Sequence, residues 1–153
     1  MRVLGTTTNP NGPWVTQVAR NVASDLEDAG WRFRFLLRDR DTKFIATFDE
    51  VFASIGVESI GTRVRSPRAS ACAERFVRTI GTECLDHLLV VSRQHLESVL
   101  DKYVEYHNQA RRHRGLHLGQ PIPRSLPLAP IDDGTVTRRA ILGGITHEYE
   151  CAA

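Results

Sequence analysis

Short apolar runs alternate along the first half of the chain with segments whose apolar residues recur at helical spacing. We expect short strands at residues 2–6, 31–38 and 57–62. Helical spacing joins Val15 to Ala29 and continues from Phe48 to Ile55, with a glycine directly after each segment. Strands separated by helices are typical of an α/β fold with at least partly parallel pairing. The chain therefore predicts about three core strands with flanking helices.

The second half predicts two further helices and an extended tail. Ser70 can cap a helix that runs to about Cys84, with Glu74 and Arg78 one turn apart and off its apolar face. That apolar face is predicted to consist of Ala73, Phe76, Val77, Ile80 and Cys84. Ser92 can cap a long amphipathic helix. We expect a core over residues 1–123 and a proline-rich C-terminal tail over 124–153, in which 135–149 could form a hairpin.

The segment between the second and third predicted strands also contains a sequence signal for the start of a helix. Thr47 and Glu50 have the spacing of a capping box, in which each side chain caps a backbone N–H of the other's residue. We expect the helix to begin there. Three strands form a thin sheet, which suggests that a partner completes its edge.

Overall charge permits nucleic-acid binding but does not argue for it, since the net charge of the 153 residues is +2. The local distribution is more informative, because arginines cluster in two windows. The first window contains Arg63, Arg65, Arg68, Arg75 and Arg78, and the second contains Arg111, Arg112 and Arg114. The second window also has the alternative interpretation of a solvated helix end that complements the helix dipole.

Cysteine and hydropathy patterns narrow the class of protein. The three cysteines form no CxxC pair, so a zinc ribbon and a disulfide framework are not indicated, even though His107, His113 and His117 lie close together. No apolar stretch approaches the roughly 20 residues that cross a bilayer. We expect a cytoplasmic protein without a membrane partner.

Two acidic residues have surroundings that suit phosphodiester chemistry. Asp39 ends an apolar, strand-like run, and Glu74 opens a helix-like segment after a basic loop. Carboxylates that converge from a strand end and a nearby helix can bind a divalent metal ion, and neighbouring guanidinium groups suit phosphate. Each carboxylate alone has a simpler interpretation, as a turn residue for Asp39 and a solvated charge for Glu74.

Three motifs carry the strongest signal: residues 35–44 (FLLRDRDTKF), residues 66–80 (SPRASACAERFVRTI), and residues 106–116 (YHNQARRHRGL) followed by QPIP at 120–123. In this order they resemble the second catalytic block, the third catalytic block and the closing helix signature of one family. That family is the integrase catalytic core of insertion-sequence transposases and retroviral-type integrases. The resemblance covers roughly residues 2–123.

The resemblance implies a ribonuclease-H-like fold and an Asp-Asp-Glu site that uses Mg²⁺ or Mn²⁺. Asp39 would be the second acid, with Asp41 as the alternative, and Glu74 the third. Both would be catalytic and metal-binding. The arginines of the first window would bind DNA, with Arg78 as the leading contact.

One departure from the family pattern is serious. The family's first aspartate lies on an upstream strand, and the acids that precede Asp39 here (Asp25, Glu27 and Asp28) fall at the far end of the first helix. The chain therefore resembles an N-terminally truncated core with an incomplete polynucleotidyl-transferase site. We expect a transposase-derived protein of DNA integration, recombination or transposition, impaired in strand transfer. The alternative is a non-enzymatic remnant that binds DNA, or that pairs with itself or with an intact transposase.

Overall fold

The computed structural model describes residues 1–62, 71–122 and 136–151. The chain divides into two compact units. One is Leu4–Arg78, and the other combines Met1–Val3 with Thr79–Ala153. The basic loop at 63–70 lies outside the described residues. The boundary predicted at residue 123 stays a prediction.

Helix α1 spans Gly12–Asp28 and opens the first unit. The Asn11 side chain caps it by accepting a hydrogen bond from the Trp14 backbone N–H at 3.0 Å. Pro13 stands in the first turn, where a missing N–H costs nothing. Gly30 follows the helix with φ +65°, a conformation that glycine adopts without strain, as the sequence predicts.

Two parallel strands form the sheet of this unit. Strand β1 is Phe35–Arg38 and strand β2 is Glu58–Gly61, in a register that sets Phe35 beside Glu58 and Arg38 beside Gly61. Helix α2, Ala46–Ser54, makes the crossover between them. The chain is thus mixed α/β, as expected.

The prediction of a strand at residues 2–6 is wrong, so the sheet has two core strands among the described residues, not three. Gly5, near the end of this run, has φ +154°, which lies outside the usual range for strand residues, and a Cβ at this position would lie only 3.3 Å from the Trp14 ring.

The core of the first unit lies on one face of the sheet. Its buried residues are Val15, Ala19, Phe48, Phe52 and Val57. The Phe48 and Phe52 rings are 5.1 Å apart, and Leu36 of β1 packs against the cluster. Phe35 and Leu37 alternate with Leu36 and stay 46% and 60% exposed, so the opposite face of β1 is uncovered by the described residues.

The capping box predicted at Thr47 and Glu50 does not form. Ile45 is the N-cap and no side chain caps the helix; instead, the Phe48 N–H donates to the Ile45 carbonyl at 2.9 Å. A turn from Asp41 to Phe44 ends just before the helix, so the chain enters helical geometry two residues earlier than the motif indicates. Burial of Phe48 and Phe52 on one face then outweighs the weak preference of a cap.

Helix α3, Ala71–Glu83, leads from the first unit into the second. Ile80 and Cys84 are buried as predicted, but Ala73 and Val77 are exposed, Val77 by 66%. The apolar stripe is narrower than predicted, because the described contacts bury only its C-terminal end. Ser70, the predicted cap, lies outside the described residues.

Helix α4, Arg93–Gln109, is the centre of the second unit. Ser92 caps it, as predicted, by accepting from the His95 N–H at 3.1 Å. Its inward side buries Val99, Leu100 and Tyr103. Strands β3, Val136–Ile141, and β4, Thr146–Cys151, pair in an antiparallel hairpin where the sequence suggests one.

None of the helices in the described ranges is long and apolar enough to cross a membrane.

The phenylalanine cluster allows a direct test of the core. Phe52→Ala should lower the free energy of unfolding by about 3–5 kcal/mol, because it opens a cavity beneath the sheet. Val77→Ala, at an exposed helical position, should change it by less than about 0.5 kcal/mol. Urea unfolding followed by tryptophan fluorescence measures both, since Trp14 packs against the cluster. Equal effects of the two changes would show that the core is assigned to the wrong residues.

Candidate metal and DNA-binding site

Asp39 lies directly after β1, at the carboxyl end of the sheet, and is exposed. Its Oδ1 accepts the Asp41 N–H at 3.1 Å. The Asp41 Oδ1 in turn accepts the Lys43 N–H at 3.0 Å. These successive aspartate turns fix the backbone and leave the Asp39 carboxylate at the surface.

The two candidates for the second acid differ in their partners. The Lys43 ammonium lies 2.6 Å from the Asp41 carboxylate, and this hydrogen bond lowers the pKa of Asp41 and raises the pKa of Lys43. Among the described residues, the Asp39 carboxylate is engaged by a backbone N–H instead. A metal ion would have to displace Lys43 from Asp41 but not from Asp39, which favours Asp39.

Two arginines beside Asp39 bind within the protein. Arg38 donates to both carboxylate oxygens of Asp49 at 3.0 and 2.8 Å and to the Ser59 hydroxyl at 3.1 Å, which ties the end of β1 to α2 and β2. The hydrogen bond from Arg38 lowers the pKa of Asp49. Arg40 donates to the Thr62 carbonyl at 2.8 Å. These contacts hold Asp39 in place.

The path from β2 to Glu74 begins close to Asp39. The Thr62 N–H donates to the Arg38 carbonyl at 2.8 Å, so Thr62 lies beside the residue that precedes Asp39. Glu74 follows Thr62 by only twelve residues (74 − 62). Because β1 and β2 are parallel, the chain leaves β2 toward Glu74 at the same edge of the sheet as Asp39.

Helix α3 carries the other described candidates. Glu74 lies in its first turn, where the helix dipole favours a carboxylate, and Arg75 and Arg78 follow. All three are exposed. Glu74 and Arg78 are four residues apart, so both project from one side of the helix. Arg63, Arg65 and Arg68 lie outside the described residues, and their role stays a prediction.

The donor chemistry of Asp39 and Glu74 fits Mg²⁺ or Mn²⁺, which prefer oxygen ligands. Within the described ranges, no group of three or more His, Cys, Asp or Glu side chains is placed to hold a metal ion. The convergence of Asp39 and Glu74 on one ion therefore stays a prediction.

A half-buried network links α3 to α4 and was not foreseen from the sequence. The Glu83 carboxylate accepts the Tyr103 hydroxyl at 2.8 Å and is held by two nitrogens of Arg111, one at 2.8 Å. The Arg111 hydrogen bond lowers the pKa of Glu83, and burial together with Glu83 raises the pKa of Tyr103. The interpretation of Arg111 as a solvated helix end is wrong. The sequence signal for this network was Tyr103 on the predicted inward side of α4, because a buried hydroxyl needs a hydrogen-bond partner.

His107 and His113 pack against each other in the described part of the chain. His107 is buried, and the His113 Nε2 lies 2.9 Å from the His107 carbonyl oxygen. Their rings meet edge to face, with centroids 4.6 Å apart. Burial, with the nearby His113, lowers the pKa of His107.

Residues 55–121 match the sequence model of a family described as the integrase core domain. The matched range contains Glu74, Arg75, Arg78 and the 106–116 signature, and it confirms the resemblance for this segment. Asp39 precedes the match. No curated protein matches the chain.

The Glu83 network predicts an acid-sensitive stability. The pKa of Glu83 is lower in the folded than in the unfolded chain, so its contribution is present above about pH 4.5 and is lost as the pH falls through the lowered value. Glu83→Gln should reduce the free energy of unfolding at pH 7 and flatten its fall on acidification. Denaturant unfolding between about pH 7 and pH 3 measures this.

Glu105→Gln is the matched control for that series, because Glu105 is an exposed glutamate of α4. Its pH dependence should follow the wild type. A Glu83→Gln profile that is parallel to the wild-type profile would contradict the assignment.

Proposed function

We propose, from the match of residues 55–121 to the integrase core domain, that the chain serves DNA integration or recombination by metal-dependent phosphodiester strand transfer. Asp39 and Glu74 are the proposed metal ligands, and the arginines of α3 are the proposed phosphate contacts. The observation that carries the proposal is the position of Glu74 inside the matched range, exposed in the first turn of α3 and one turn before Arg78.

The metal would activate the attacking oxygen and stabilise the leaving oxygen of an in-line displacement at phosphorus. The chain's own residues provide the geometry. Asp39 contributes a carboxylate that accepts the Asp41 N–H, and its backbone carbonyl accepts a hydrogen bond from Arg38 at 3.2 Å. Glu74 contributes a second carboxylate from a rigid helix, and a donor on regular structure is held more firmly than one on a loop.

DNA contacts would come from the exposed side of α3. Arg75 and Arg78 present guanidinium groups that pair with phosphate in a bidentate manner. Phosphate contacts give affinity and orientation without reading the base sequence. We therefore expect DNA binding by this surface to depend on salt and to tolerate changes of sequence.

The proposed site uses two carboxylates of this chain. Two carboxylates hold a hard divalent ion less firmly than three, and two-metal chemistry needs ligands for both ions. We propose that strand transfer by this chain alone is weak. A non-enzymatic role in binding DNA or a protein partner is the second candidate, favoured by the uncovered apolar residues of β1.

Metal binding is tested by paired substitutions. Asp39→Asn and Glu74→Gln should each weaken Mn²⁺ binding by roughly tenfold or more, as measured by calorimetry at constant pH. Asp41→Asn is the matched control, because its carboxylate pairs with Lys43, and it should have a smaller effect. If Asp41→Asn abolishes binding and Asp39→Asn does not, the second acid is assigned to the wrong residue.

DNA binding is tested by its dependence on salt. Arg78→Ala should weaken binding to duplexes of different sequence by similar factors and reduce the slope of log affinity against log salt by about 1. Fluorescence anisotropy at several salt concentrations measures this. Arg93→Ala, at an exposed position on α4 paired with Glu97, is the control and should leave the slope unchanged.

Activity is tested with the same proteins. A strand-transfer assay with Mg²⁺ or Mn²⁺ should give little product from the wild-type chain. Robust product that Glu74→Gln abolishes would contradict the expected weakness, although it would support the reaction class.

A further inference from the structure

A cavity of about 330 Å³ lies within the second unit, between helix α4 and the hairpin of β3 and β4. One wall is the side of α4 that carries Lys102, Glu105, Tyr106 and Ala110. The other wall is residues 139–143, which end β3 and enter the tip of the hairpin. Small-ligand sites in proteins measure roughly 300–1,000 Å³. The cavity therefore has room for one small planar group, but not for a helix or a strand.

Two charged side chains of opposite sign line the cavity without pairing. Lys102 and Glu105 are one turn apart on α4 and exposed, yet no ion pair joins them or engages either of them within the described ranges. On the same helix, Arg93 and Glu97 do pair, with Nε 2.9 Å from Oε1. An anionic ligand group can thus bind Lys102, and a hydrogen-bond donor can bind Glu105, without breaking a described contact of the protein.

The remaining cation of the lining is already engaged. The Arg139 guanidinium pairs with the Glu148 carboxylate across the hairpin. Its charge is therefore partly neutralised within the protein. Lys102 is the better candidate to bind an anionic group in this cavity.

Aromatic and aliphatic side chains form the rest of the lining. Tyr106 is half-buried one turn after Lys102, and Ile141 and Leu142 are half-buried in the opposite wall. Leu142 has φ +53°, a left-handed backbone that leucine rarely adopts. Aromatic side chains stack on nucleobases because every base has a π-face. A cation, a carboxylate, an aromatic ring and an aliphatic wall together match the parts of a nucleotide.

The state of the nucleotide and the identity of its base follow from the same chemistry. A paired base lies inside the helical stack, so only an unpaired base can enter a cavity of this size. The carboxylate of a glutamate accepts a hydrogen bond from the exocyclic amine of cytosine. Thymine has a carbonyl oxygen in place of that amine, and a carboxylate repels it. Glu105 therefore favours cytosine over thymine.

We propose that the cavity between α4 and the hairpin binds one unpaired DNA nucleotide and prefers cytosine to thymine. Glu105 accepts the exocyclic amine, Lys102 binds the phosphate, and Tyr106 and Leu142 enclose the base. The choice of DNA as the polymer rests on the proposed function. The cavity adds a base preference, which the phosphate contacts proposed for α3 do not provide.

The test uses the full chain and fluorescein-labelled DNA duplexes that differ at one position. One duplex carries an unpaired cytosine, the second carries an unpaired thymine, and the third is fully paired. Fluorescence anisotropy in one buffer should show that the duplex with unpaired cytosine binds roughly tenfold more tightly than the duplex with unpaired thymine. The thymine duplex should bind about as tightly as the fully paired duplex.

Replacement of the carboxylate gives the specific signature. Glu105→Gln keeps the size of the side chain but adds an amide donor that suits the thymine carbonyl, so it should abolish the cytosine preference. Asp101→Asn changes another exposed carboxylate of α4, one that does not line the cavity, and is the matched control that should leave the preference unchanged. Lys102→Ala should weaken binding of the cytosine duplex, which provides a second variant if Glu105→Gln fails to fold.

Equal binding of the cytosine and thymine duplexes would overturn the proposal, as would a cytosine preference that survives Glu105→Gln. Binding of the fully paired duplex reports separately on the proposed function through Arg78. If that duplex binds in an Arg78-dependent manner and unpaired cytosine adds nothing, the cavity proposal alone fails.

A free nucleotide separates the opposite case. If no duplex binds, but deoxycytidine monophosphate shifts the amide NMR signals of residues 102–110 more than thymidine monophosphate does, the proposed function fails and the cavity proposal holds. If neither the duplexes nor the free nucleotides bind, both proposals fail.

Discussion

Parallel pairing of β1 with β2 is the constraint on which the first unit depends. Parallel strands cannot be joined by a tight turn, so the chain must cross over through α2, which brings Phe48 and Phe52 beneath the sheet. The same parallel pairing places the carboxyl ends of both strands at one edge of the sheet. Asp39 and Thr62 therefore emerge side by side, and the segment that carries Glu74 starts where a shared metal site would need it.

The core explains why one face of β1 is available. Helices α1 and α2 supply the buried cluster, and both pack on the side of Leu36. Phe35 and Leu37, on the other side, have no comparable cover among the described residues. The hydrogen bonds of Arg38 with Asp49 and Ser59 tie the carboxyl end of β1, next to Asp39, to α2 and β2.

Sequence reasoning succeeded where local chemistry and periodicity agree. Ser92 caps α4 as predicted, and the apolar spacing of α1 and α4 identifies both helices. It failed where tertiary packing decides. Thr47 loses the cap of α2 because the preceding turn lets the helix start earlier, and residues 2–6 have a strand composition but no partner strand in the described structure.

The metal-binding roles of Asp39 and Glu74 stay predictions from the motifs. The structure adds the ion pair between Asp41 and Lys43, which distinguishes Asp41 from Asp39. The Glu83–Tyr103–Arg111 network was not predictable, because 20 and 28 residues separate the partners of Glu83 and only the packing of the second unit brings them together. An arginine in a basic run does not reveal from sequence whether it binds DNA or a carboxylate of its own chain.

Asp39 and Glu74 are proposed to share one divalent ion, and paramagnetic broadening of amide NMR signals by Mn²⁺ tests this sharing. Signals from the Asp39–Lys43 turn and from the first turn of α3 should broaden together at the same low Mn²⁺ concentration. Asp39→Asn should protect both sets of signals. Broadening of the two segments at different concentrations, with α3 unaffected by Asp39→Asn, would contradict it.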